Sequence, residues 1–252
     1  MILATHGIVG SQITQFVGLL DLYPNAAAAY SLRKLRNAYT GNAIRVRRAS
    51  DNAEQNIGFV NNVLDTASLA TFCSGTNGFV KTWFDQSGNG LNFDTTAISA
   101  QPKIVDNGSY LGYLQTLIGM PGSYQFKNNN SYSYFAVFQN FGNCIIMGTD
   151  NIYKGVGQNG SASSSFQPQF TNYSNFKNGV SFGNTRDDFF DNTVNFCLIT
   201  IKATFSTTNT NMTLGDSSFG YDSNRFKELV IWDNQTVSQS GVEGEIINYY
   251  GL

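Results

Sequence analysis

Charge is scarce in this sequence. Asp, Glu, Lys and Arg together make up 13% of 252 residues, about half the usual share. The net charge of -2 leaves no basic surplus for phosphate backbones, and the one basic cluster, Arg45-Val46-Arg47-Arg48, is short and strand-like. Nucleic acid is therefore not expected as a partner. Histidine is nearly absent: the single His6 cannot build a zinc site or a histidine-based triad, so no metal and no cofactor are expected. Cysteine is limited to Cys73, Cys144 and Cys197, an odd number without CxxC spacing. That pattern fits small buried apolar residues rather than a metal site or a disulfide framework. Long apolar runs are missing too. The opening MILATHGIVGSQITQFVGLLDLYP has no charged n-region and no clear cleavage site, and polar residues interrupt it, so neither a signal peptide nor membrane insertion is expected.

What is abundant is aromatic and apolar surface. Hydrophobic residues reach 41% and aromatics 14%, with 20 Phe and 13 Tyr, which marks a folded, β-leaning chain. A chain of this length is compatible with one principal sandwich domain. Residues 1 to 24 form an apolar segment that either lies on the domain's own core or, as the leading expectation, is an N-terminal extended arm that docks on another subunit through Ile8, Val9, Ile13, Phe16 and Val17. Residues 25 to 252 form the body.

Within the body, Asn25 is placed to cap a helix over AAAAYSLRKLRNAY, stopped by Gly41. Strands are expected at 43 to 50, 55 to 60 and 78 to 84, and a short helix at 64 to 72. The stretch GFVKTWFDQSGNGLNF ends a core strand in a turn, because Gly88 and Gly90 tolerate positive φ and Asp85, Gln86 and Ser87 can bond the turn's own backbone. Further strands follow at 132 to 139, 144 to 148, 196 to 205 and 226 to 232, and a closing helix at 240 to 250. The fold class is all-β, a jelly-roll sandwich with a few short helices. The segment 159 to 178, rich in Ser, Asn, Gln and Phe, is an exposed loop or edge strand. Tyr153, Phe166, Gln169, Asn172 and Tyr173 are the candidate carbohydrate contacts, since aromatic faces stack on sugar C–H groups and amides satisfy hydroxyls.

The runs AYSLRKLRNAYTGNAIRVRRASDNAEQNIGF, LDTASLATFC, VKTWFDQSGNGLNF and QPKIV resemble the N-terminal half of the catalytic domain of the α-L-arabinofuranosidase B family. The same block resembles segments of phage virion proteins, and in both settings it implies a concanavalin A-like or laminin G-like sandwich. The enzyme family implies a retaining mechanism with two carboxyl groups about 5 Å apart. Its acid/base Gly-Gly-Asp segment lies over Gly215-Asp216. Its nucleophile segment, Gly-Asn-Ala-Glu after two adjacent cysteines, has as its nearest counterpart the stretch Asn143 to Asn151, which holds one cysteine, no Glu, and Asp150 one position out of register.

The opening THGIVGSQITQF resembles N-terminal segments of phage head-fibre proteins. The leading expectation is therefore a phage virion structural protein, a head fibre, capsid decoration or tail-associated subunit, located in the virion after assembly in the host cytoplasm. Its partners are other virion proteins through the arm, further copies of itself as a homo-oligomer, with a trimer as the analogy, and a cell-surface glycan on a lectin-like face. No enzymatic activity is expected on that view. One alternative is a glycoside hydrolase of the arabinofuranosidase type, with Asp216 as acid/base and Asp150 as nucleophile. A second is a ligand-free structural cement protein.

Overall fold

The structure, a computed structural model, describes residues 15–116, 119–127, 129–139, 145–148, 155–156, 170–185, 187–189, 195–206, 210–216 and 224–252. A short helix, α1 (Leu19–Leu22), precedes strands β1 (Ala28–Ser31), β2 (Ile44–Arg48), β3 (Glu54–Ile57), β4 (Phe59–Val60) and β5 (Val63–Leu64). Helix α2 (Thr66–Phe72) leads to β6 (Gly78–Trp83), β7 (Phe93–Asp94), β8 (Lys103–Asp106), β9 (Ser109–Thr116), β10 (Met120–Phe126) and β11 (Ser131–Gln139). Then come β12 (Ile145–Gly148), β13 (Gly155–Val156), β14 (Phe170–Lys177), β15 (Val180–Phe182), β16 (Cys197–Phe205), β17 (Thr210–Asp216) and β18 (Asn224–Trp232). The chain closes in helix α3 (Gln239–Tyr250).

The strands pair in the order β13-β12-β17-β10-β7-β6-β8-β9-β18-β11-β16-β14-β15, turning over between β7 and β6 to give a two-layered sandwich. Side-chain alternation explains the layering. Along β11, Tyr132, Tyr134, Ala136 and Phe138 enter the main core with Met120, Phe126, Met212 and Leu214 of the other layer. Phe135 and Val137, on the opposite face, enter a second core with Val242 and Ile246 of α3. A strand half-covered by water would alternate apolar with polar residues; this one is apolar on both faces because sheet and helix cover it from opposite sides.

One expected element changes type. Asn25 does not cap a helix: its φ is 64°, and the alanine run enters β1, antiparallel to β18 from Ala28 opposite Ile231 to Ser31 opposite Glu228. Ala28 faces the main core and Ala29 the second core, which is a strand's two-sided burial. Alanine's helical preference is worth only a few tenths of a kcal/mol per residue over most others, and the hydrogen bonds and burial gained beside β18 exceed it. The helix at 64 to 72 and the closing helix do form, the first capped by Asp65, whose side chain accepts from Ser68 N–H.

The N-terminal segment divides. Ile8, Val9 and Ile13 lie outside the described residues. Phe16 is half-buried and Val17 is 57% exposed, whereas Leu19 and Leu20 are buried in the chain's own second core. Leu20 N–H donates to Leu35 O at 2.8 Å. A Cβ on Gly18 would stand 2.3 Å from Leu35 O, a backbone atom that cannot step aside. Gly18→Ala is therefore expected to lower stability by about 1–3 kcal/mol through forced displacement of this segment. An unchanged thermal midpoint would show that the close approach is dispensable.

Candidate functional site

The end of β6 is built by two buried polar side chains. Asp85, 5% exposed, accepts from Ala29 N–H at 2.9 Å, Ser87 N–H at 2.8 Å, Ser87 Oγ at 2.7 Å and Leu91 N–H at 3.1 Å. Gln86, fully buried, accepts from Leu35 N–H and donates to Ser31 O and Arg33 O. Gly88 and Gly90 have φ of 99° and 72°, the left-handed conformation this turn requires. Every oxygen of Asp85 is thus occupied by protein donors, so DQSGNG is a clamp that locks β1 and the chain after it, as a turn and not as a catalytic loop.

Beside this turn lies a polar cavity of about 390 Å³, whose walls include Arg36, Ser87, Asn89, Asp233 and Asn234. Tyr124 of β10 donates its hydroxyl to Asp233; burial and that bond together hold the phenol far above its ordinary pKa. A second charged cluster sits where β1, β18 and α3 meet. Glu228, fully buried, accepts from Arg33 Nε at 2.7 Å and Nη2 at 2.8 Å, Ser31 Oγ at 2.8 Å and Tyr250 Oη at 3.1 Å. The Arg33 guanidinium lies 4.1 Å from the Tyr249 ring centroid. Burial alone would lower its pKa, but Glu228 outweighs that and holds it above its ordinary value. Neither Asp233 nor the Arg33–Glu228 pair was among the sequence candidates. The available signal was a lone Glu inside the buried apolar run of β18.

Asp216 is the last residue of β17, opposite Ile145 of β12. From there β12 runs away from Asp216, with Gly148 opposite Thr213; Asp150 lies outside the described residues. Of the carbohydrate candidates, Tyr153, Phe166 and Gln169 also lie outside them. Asn172 and Tyr173 are consecutive, exposed residues of β14 at an irregularity in its pairing with β16. They belong to the opposite layer from Asp216, so the described residues do not bring them together. Cys73 and Cys197 are buried, and burial pushes Cys197 up to about 12 and Cys73 above its ordinary value. Cys144 is not among the described residues. Among the described residues no three His, Cys, Asp or Glu side chains converge as a metal site.

Residues 21–140 match the family model of the α-L-arabinofuranosidase B catalytic domain. A probable α-L-arabinofuranosidase B of Aspergillus terreus is 36% identical over 91 residues, and one of Aspergillus flavus 35%; each alignment covers 33% of this chain and 18% of the relative. The chain therefore spans under a fifth of the length of these relatives in the matched region. Among solved structures, a mutant GH54 arabinofuranosidase soaked with 4-nitrophenyl α-L-arabinofuranoside matches with a TM-score of 0.59 at 14% identity, over 92% of this chain and 65% of that one. An arabinofuranosidase complexed with arabinofuranosyl-α-1,2-xylobiose matches at 0.58 and 15%.

These findings overturn the expectation of a non-enzymatic phage structural protein located in a virion. The matched family, relatives and folds are arabinofuranosidases, and no virion protein is among them. The matched block builds the β1–β6 framework and the DQSGNG clamp, a scaffold that by itself specifies no chemistry. The all-β sandwich holds, and it is the fold of the GH54 arabinofuranosidases.

Proposed function

We propose that this chain is a glycoside hydrolase domain acting on α-L-arabinofuranosides, with Asp216 as acid/base and Asp150 as the partner carboxylate. The observation that carries the proposal is the match of residues 21–140 to the arabinofuranosidase B catalytic model. Solved enzymes of the same fold hold arabinofuranosides, which suggests the same sugar class here. In the retaining scheme one carboxyl group protonates the leaving oxygen while the other attacks the anomeric carbon, the two standing about 5 Å apart. Asp216 ends β17 next to β12, the strand that leads into the Asp150 segment.

The test is release of 4-nitrophenol from 4-nitrophenyl α-L-arabinofuranoside. Asp216→Asn and Asp150→Asn are each expected to lower kcat by about 10²–10⁴-fold, with unchanged thermal midpoints. No turnover by the unsubstituted chain at high protein concentration would end this proposal. Turnover that survives both substitutions would move the chemistry to other carboxylates.

A further inference from the structure

The two cores fix a face that the proposed chemistry does not use. Asp216 belongs to the layer of β17, whereas α3 covers the outer side of the other layer. On that outer side, next to the end of α3, are two adjoining cavities of about 440 and about 300 Å³ that share Arg33, Val63 and Tyr249. Both volumes fall in or near the range of small-molecule sites.

Their walls differ in chemistry. The smaller holds Arg33 and Lys227 with the rings of Tyr110, Tyr249 and Tyr250, and among the described residues no acidic side chain lines it. The larger holds Lys34, Glu245 and the amides of Asn61, Asn62 and Asn248. Asn61 and Asn62 form the two-residue turn between β4 and β5, with φ of 51° and 66°, the left-handed pair that a type I′ hairpin requires. That turn's backbone is pinned beside Arg33 by the Lys34 N–H to Asn62 O bond at 2.8 Å, which keeps both asparagines at the cavity wall.

Arg33 is already neutralised by Glu228. Lys227 forms no salt bridge among the described residues; its ammonium lies 4.1 Å from the Phe196 centroid and 5.7 Å from that of Tyr250. Burial pushes it below its ordinary pKa with no carboxylate to offset the shift. A half-buried ammonium over aromatic rings, without an anion, is complementary to a carboxylate. The Tyr249 ring, 46% exposed, offers a flat face for sugar C–H groups, and three asparagine amides both donate to and accept from hydroxyls.

The geometry points to a binding site for a carboxylate-bearing saccharide, a chain containing uronic acid, on the face opposite the proposed catalytic layer. The carboxylate sits at Lys227 in the smaller cavity, a ring packs on Tyr249, and the next sugar reaches the amides of the larger cavity. In the larger cavity Lys34 and Glu245 offset one another, so the uncompensated positive charge that selects the acid lies at Lys227.

The probe is trigalacturonic acid against its fully methyl-esterified form, titrated calorimetrically at low and high salt. The acid is expected to bind about tenfold more tightly than the ester, a margin that shrinks in salt. Lys227→Gln should bring the acid down to the ester's affinity, and Tyr249→Ala should weaken both; because that ring also covers Arg33, its thermal midpoint is measured alongside, and Lys227→Gln decides the test if the Tyr249 variant is destabilised. Asp216→Asn should bind the acid unchanged, which keeps this test independent of hydrolysis. Equal binding of acid and ester, no binding of either at millimolar concentration, or an unaffected Lys227→Gln variant would each overturn the site. Displacement of the trimer by an equal concentration of inorganic phosphate would also overturn it, as an anion site without sugar recognition.

Discussion

Asp85→Ala is expected to destabilise the fold by about 3 kcal/mol or more, read as a fall in the urea midpoint. The carboxylate receives three backbone N–H groups and one hydroxyl. Deleting it strands the Ala29 N–H in a buried strand and frees the Ser87 and Leu91 donors. A stranded donor costs about 1–3 kcal/mol, and bonds to a charged acceptor are the stronger kind. The damage should spread to β1, since Ala29 is the strand's own link to the turn. Asp85→Asn, which keeps one acceptor oxygen, should lose distinctly less, and it remains measurable if the alanine variant does not fold. A loss below about 1 kcal/mol for alanine would mean that Gln86 and the Gly88–Gly90 turn hold the corner alone.

Glu228→Gln carries the second large effect, about 3–5 kcal/mol. It leaves the Arg33 guanidinium, 9% exposed, without its counter-charge in a site closed by Tyr249 and Tyr250. The Tyr250 hydroxyl also loses its charged acceptor, so the end of α3 should become accessible to protease before the sandwich unfolds. The paired replacement Arg33→Met with Glu228→Leu should recover most of the loss, because two apolar groups remove both desolvation penalties at once. If the double variant is as unstable as the single one, the cost lies in lost packing and not in an orphaned charge.

Legibility in the sequence followed the range of the interactions. The long strands β11, β16 and β18 announce themselves by apolar content, and α2 was expected as a short helix in the right place, because local residues decide them. The alanine run misled for the same reason: its local preference is helical, and what overrides it arrives from Ile231 to Glu228 and from Asp85 and Gln86. Asp216 entered only through a short motif, and the backbone shows no more than that it ends β17. The Arg33–Glu228 pair was not legible, since its partners are 195 residues apart and each alone looks like a surface charge. That the DQSGNG block says little about activity has a physical basis as well: its polar side chains are spent on the chain's own backbone, which specifies a scaffold and leaves the chemistry unspecified.

The pairing of β1 with β18 also dictates an order of events during synthesis. Ala28 to Ser31 emerge from the ribosome some two hundred residues before Glu228 to Ile231, and no other described strand pairs with them. Until β18 has been made, β1 has no described strand to join, and joining them closes a loop of some two hundred residues, a slow kind of step. The side of β18 that β1 covers is therefore among the later parts of the sheet to be sealed.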